Sequence, residues 1–80
     1  MHETHLIEPI IKGISEHAKR EGAQKVTNIK LKIGALACAN ESSFRETFSV
    51  LSKGTLLENA KLEITMFPGT NVQVLSFDVE

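Results

Sequence analysis

The eleven residues VTNIKLKIGAL, Val26 to Leu36, decide the fold. Ile29, Leu31 and Ile33 alternate with Asn28, Lys30 and Lys32, which is the period-two pattern of a strand with one buried face and one wet face. Gly34 ends the clean alternation. A strand of this kind needs apolar elements against one side only, so the rest of the chain is read for what covers it.

On the amino-terminal side, from about His5 to Arg20, Leu6, Ile7, Ile10, Ile11, Ile14 and Ala18 follow the i, i+3, i+4 spacing of an amphipathic helix. Thr4 is the N-cap candidate, and Gly22 after the basic Lys19 and Arg20 is the stop signal. Pro9 deletes a backbone donor, so a loose first turn or a regular helix starting nearer Glu8 is expected.

On the carboxy-terminal side Asn40 is placed to cap a second helix, about Glu41 to Lys53, with Phe44, Phe48 and Leu51 as its buried stripe and Gly54 just beyond it. Two strand-like runs follow, Lys61 to Phe67 and Asn71 to Val79. The Pro68-Gly69-Thr70 between them reads as a hairpin turn at about residues 67–71. Within the last run the alternation changes phase at Val74-Leu75, the mark of a bulge or of a strand buried on both faces.

The expected architecture is α/β in the sense of a two-layer α+β domain. Its order is helix, strand, helix, strand, strand, giving a three-stranded mixed sheet with two helices on one face. Eighty residues make one domain, 1–80, near the low end of what an unstapled core sustains. Apolar residues at 41% and charged residues at 24% sit near the averages for globular chains and argue against a disordered chain and against a membrane protein.

No run reaches the roughly 18 to 20 apolar residues of a membrane span, and no signal peptide opens the chain, so a cytoplasmic protein is expected. A formal net charge of −1 with dispersed lysines and arginines gives no case for nucleic acid. The single cysteine, Cys38, excludes an internal disulfide and the paired CxxC units of a structural zinc site. No Ser/His/Asp, Cys/His or phosphate-cradling glycine motif is present, and an enzyme is not expected.

The chemistry lies at the first three residues, Met1-His2-Glu3. Histidine in second place sets an imidazole, the terminal amine and the intervening amide within chelating reach of one metal ion, and a large second residue usually keeps Met1 in place. On spacing alone the alternative is a solvated terminal histidine.

Several segments together resemble the HypA/HybF family of hydrogenase nickel-incorporation proteins, small metallochaperones of nickel-iron hydrogenase and urease maturation. They are the Met1-His2-Glu3 start, EHAKREGA (Glu16 to Ala23), KVTNIKLKIGAL (Lys25 to Leu36), FSVLSKGTLLENAKLEI (Phe48 to Ile64) and VQVLSFDVE (Val72 to Glu80). The resemblance implies Ni(II) bound by the Met1 amine, the His2 imidazole and nearby backbone nitrogen, with Glu3 helping. It also implies a maturation GTPase of the HypB type, or the hydrogenase large subunit, as partner. A homodimer through an open sheet edge is left open.

The chain departs from the family pattern at three places. Members carry a zinc ribbon with two CxxC pairs between the last two strands, whereas here Phe67 leads through Pro68-Gly69-Thr70-Asn71 directly to the final strand, so no zinc is expected. His5 stands where a small polar residue is usual. It is carried as an extra candidate ligand beside the alternative of an ordinary surface histidine. Pro9 interrupts a turn that is usually continuous. The competing reading is an interaction module that keeps the scaffold and partner surface and binds no metal. His17, roughly 20 Å from His2 on helical rise, is too distant to join the site, and Cys38 reads as a packing residue.

Overall fold

The computed structural model describes residues 3–38 and 40–80, apart from the side chain of Glu3. Its elements are α1 (Glu3–Arg20), β1 (Val26–Gly34), α2 (Glu41–Leu51), β2 (Lys61–Phe67) and β3 (Val72–Val79). They form the expected two-layer arrangement, two helices on one face of a three-stranded mixed sheet.

β1 is central. It pairs parallel with β2, with Ile29 opposite Leu62 and Leu31 opposite Ile64, and antiparallel with β3, with Ile29 opposite Phe77 and Leu31 opposite Val74. Ile29, Leu31 and Ile33 are fully buried beneath the helices. Lys30, Glu63 and Thr65 lie exposed on the other face, where Asn28 donates to the Glu63 carboxylate at 2.9 Å.

The expected hairpin between the last two strands is not formed. β2 and β3 run in opposite directions but flank β1, in the order β2-β1-β3, so residues 67–71 pass across the end of β1 instead of capping a hairpin. Three bonds hold the crossing: Gly34 N–H to the Asn71 carbonyl at 2.7 Å, Ala35 N–H to Phe67 at 2.8 Å and Leu36 N–H to Gly69 at 2.9 Å. The driving force is burial. As an edge strand β1 would expose one flank of its Ile29, Leu31 and Ile33 row, whereas in the centre every one of these side chains is enclosed, each contributing about 1.5 to 3 kcal/mol.

The phase change in the last strand is a bulge. Lys30 faces Ser76 and Leu31 faces Val74, leaving Leu75 as the extra residue. The bulge puts Val72, Val74 and Phe77 on one face opposite Ile33, Leu31 and Ile29, while Leu75 is exposed. Burial on both faces of β3 is therefore excluded.

The helix ends differ in detail from the sequence reading. α1 is regular from Glu3, so Thr4 lies inside the helix and is not its N-cap, and Pro9 sits within it. The donor that proline lacks would have met the carbonyl of His5, an exposed residue, while Ile7, Ile11, Ile14 and Ala18 keep the helix seated on the core. At its far end Gly22, with φ of +77°, closes a Schellman motif: Ala23 N–H meets the Ala18 carbonyl and Gly22 N–H that of Lys19, both at 3.0 Å.

Asn40 caps α2, its side-chain oxygen accepting from Ser43 N–H at 3.0 Å. Phe44 and Phe48 stack in the core with ring centroids 6.4 Å apart. α2 ends at Leu51, two residues before the expected Lys53: the amide after the Ser52 cap, Lys53 N–H, bonds only three residues back to the Val50 carbonyl, and Gly54 follows with φ of +81°. The turns between α2 and β2 bury Leu57 completely.

Candidate metal centre

The stripe of α1 that contacts the core begins at Leu6 and Ile7, and Thr4 and His5 precede it on the first turn of the helix. Thr4 is half-buried there. It lines a shallow depression with Glu46, Thr47, Ser49, Val50 and Leu51 of α2, so the helix start opens beside the second helix. Nothing in the spacing of the sequence joins residue 4 to residues 46–51. Only the packing of the two helices does.

Met1 and His2 lie outside the described residues, as does the side chain of Glu3. The backbone of Glu3 begins α1 and His5 is exposed on its first turns. Among the described residues no three His, Cys, Asp or Glu side chains gather where they could hold one ion.

The remaining candidate donors are placed elsewhere. His17 is twelve residues along α1 from His5, about 18 Å by helical rise, and packs edge-on against Phe77 with centroids 5.4 Å apart. Its Nε2 is 3.9 Å from the Glu21 carboxylate. Cys38 is buried in the core cluster, with its sulfur 3.5 Å from the Asn40 carbonyl. That position fits the packing role read from the sequence.

The amino-terminal end of a helix carries a partial positive charge, which disfavours a cation by about 0.3 to 1 kcal/mol. The carboxylate of Glu8, solvent-exposed near that end of the helix, opposes the effect.

Comparison with known proteins places this architecture in a family. The profile for hydrogenase/urease nickel incorporation, metallochaperone, hypA, matches residues 1–72. The hydrogenase maturation factor HypA of Archaeoglobus fulgidus is 39% identical over 66 residues, covering 82% of this chain and 60% of that protein. HybF of Salmonella typhimurium is 35% identical over 68 residues, with 85% and 60% covered. HypA of Rhodobacter capsulatus is 37% identical over 78 residues, with 98% and 66% covered. The chain thus spans about 60% of the length of the first two of these relatives. The solution structure of the Ni metallochaperone HypA from Helicobacter pylori has the same fold, with a TM-score of 0.82 at 19% identity over 99% of this chain and 97% of that one. The chain belongs to the HypA family of hydrogenase/urease nickel-incorporation metallochaperones.

Proposed function

We propose that this chain binds one Ni(II) ion at its N-terminus and delivers it during maturation of a nickel enzyme, a nickel-iron hydrogenase or urease. The observation that carries the reading is the Met1-His2-Glu3 sequence in a chain of this family. The Met1 amine, the backbone amide nitrogen of His2 once deprotonated, and the His2 imidazole close fused chelate rings in one plane. Such tetragonal nitrogen donors suit Ni(II). Glu3 supplies a carboxylate, and His5, exposed on the same helical start, is the additional candidate ligand.

An incomplete shell built from a chain terminus suits a carrier, which must give up its ion, better than it suits a store. Copper(II) would bind such donors more tightly, so selectivity for nickel rests on metal supply and on partner recognition. The partner that receives or supplies the ion is a maturation GTPase of the HypB type or the hydrogenase large subunit. Residues 67–71 here take the place of the inserted zinc ribbon, and without CxxC pairs these 80 residues offer no four-thiolate zinc site.

Titration calorimetry of Ni(II) into the native, untagged chain and into His2→Ala tests the reading. One nickel per chain is expected for the native protein and a loss of at least tenfold in affinity for the variant. Equal binding by both, or none by either, overturns it and favours the metal-free interaction module.

A further inference from the structure

Between α2 and the start of β2 lies a cleft of about 570 Å³. Three cations line it, Arg45 on α2, Lys53 just after that helix and Lys61 at the head of β2, against one carboxylate, Glu58. The chain as a whole has a formal net charge of −1, so positive charge is gathered here against the balance of the sequence.

The charged groups differ in how they are held. Arg45 pairs with Glu41 at 2.9 Å on its own helix and donates to the Leu62 carbonyl at 3.1 Å, which fixes the guanidinium over the edge of β2 with N–H groups to spare. Glu58 is turned to the backbone, one oxygen accepting from Gly54 N–H at 3.1 Å. Lys53 and Lys61 are exposed, and among the described residues neither forms an ion pair.

The rest of the lining includes the apolar Phe48, Ala60 and Leu62. Beside it, β2 pairs only with β1 among the described strands, so its outer edge offers backbone donors and acceptors. A small anion would use the cations alone. A peptide with acidic and apolar side chains uses the cations, the apolar lining and the strand edge together. Exposed ion pairs contribute little singly, but several cations facing one acidic segment steer its approach and fix its register.

Ser49 lines both this cleft and the depression that holds Thr4. The two hollows are thus neighbours across α2, and Thr4 is two residues from His2 in sequence. We propose that the cleft between α2 and β2 receives an acidic segment of the protein that exchanges nickel with this chain. That the visitor carries or accepts nickel rests on the N-terminal reading above; that its docking segment is acidic rests on the cleft alone.

NMR titration of the native chain in EDTA, with a short end-blocked peptide of glutamates and interspersed leucines, tests the proposal. Amide shifts are expected at Arg45, Ser49, Lys53 and Asn59 to Leu62, with affinity falling as salt rises. Lys53→Glu and Lys61→Glu each weaken binding about fivefold, whereas Lys30→Glu, an equal change of net charge on the open face of the sheet, weakens it by about twofold at most. All three side chains are exposed, and the amide spectrum of each variant reports whether the fold is kept. Absence of shifts at the cleft overturns the proposal, as do equal losses in all three variants. Equal binding of a lysine and leucine peptide, or the same shifts with inorganic phosphate alone, also overturns it. The titration contains no nickel, so its failure and the failure of the N-terminal reading are told apart by the calorimetry described above.

Discussion

A Cβ added to Gly34 at the end of β1 would collide with the Gly69 carbonyl and lie 2.8 Å from the Thr70 nitrogen. The segment joining β2 to β3 passes directly over the central strand at this point. Because the obstacle is backbone held by three hydrogen bonds, it cannot swing aside as a side-chain tip would.

Gly34→Ala is therefore expected to destabilise the domain by about 2 kcal/mol. In a chain of this size that lowers the melting temperature by roughly 10 °C. Thermal unfolding followed by circular dichroism measures it. An unchanged midpoint would show that residues 67–71 do not cross β1 as closely as described.

Gly13 gives the opposite expectation. It lies inside α1, its φ is negative, and open space surrounds the missing Cβ. Gly13→Ala should stabilise the domain by about 0.5 to 1 kcal/mol by removing unfolded-state freedom and improving helix propensity. The same melting experiment reads it as a small rise in midpoint. A fall would mean that the groove beside β3 needs the glycine for packing.

Leu57 belongs to the core although it sits in turns between α2 and β2. Leu57→Ala should cost about 2 to 5 kcal/mol, a loss comparable to truncating a leucine in a regular element. Removing the α2 cap with Asn40→Ala should cost only about 1 kcal/mol. Denaturant midpoints at constant m value separate the two, and the reverse ranking would contradict the burial of Leu57.

The residues that were legible from sequence are those whose neighbours are close along the chain. Ile29, Leu31 and Ile33 declare a strand, the stripe from Ile7 to Ala18 a helix, and Asn40 and Gly22 their caps, because each pattern is local. The phase change at Val74-Leu75 was also visible, since an extra residue shifts a period of two within the same segment, but the choice between a bulge and a strand buried on both faces took the pairing with β1 to decide. What was not legible depends on contacts between distant segments. Pro68-Gly69 signals a turn whether the next strand returns beside β2 or beyond β1, and the choice is made by the burial of β1. Leu57 has no periodic neighbours to mark it. Pro9 reads as a helix breaker only if its missing hydrogen bond matters, and the partner it would have had is the carbonyl of His5, an exposed residue in the first turns of the helix. The depression joining Thr4 to Glu46 arises from helix packing, which no spacing encodes.

Proton release on nickel binding distinguishes the proposed donor set from simpler alternatives. At pH 7 a terminal amine with a reference pKa of about 7.7 to 8.0 is mostly protonated, a backbone amide is fully so, and an imidazole near 6.5 is mostly neutral. Chelation by amine, amide and imidazole should therefore release about two protons per nickel at pH 7, whereas binding by an imidazole and carboxylates alone should release well under one. Calorimetry in buffers of different ionisation enthalpy counts these protons directly. The same linkage makes affinity fall as pH falls, because protons compete for every nitrogen donor. A short extension ahead of Met1 should remove the amine and weaken binding severely, while His17→Ala, remote along α1, should leave both affinity and proton count unchanged. Release of fewer than one proton, or tight binding by the extended chain, would exclude the terminal amine from the site.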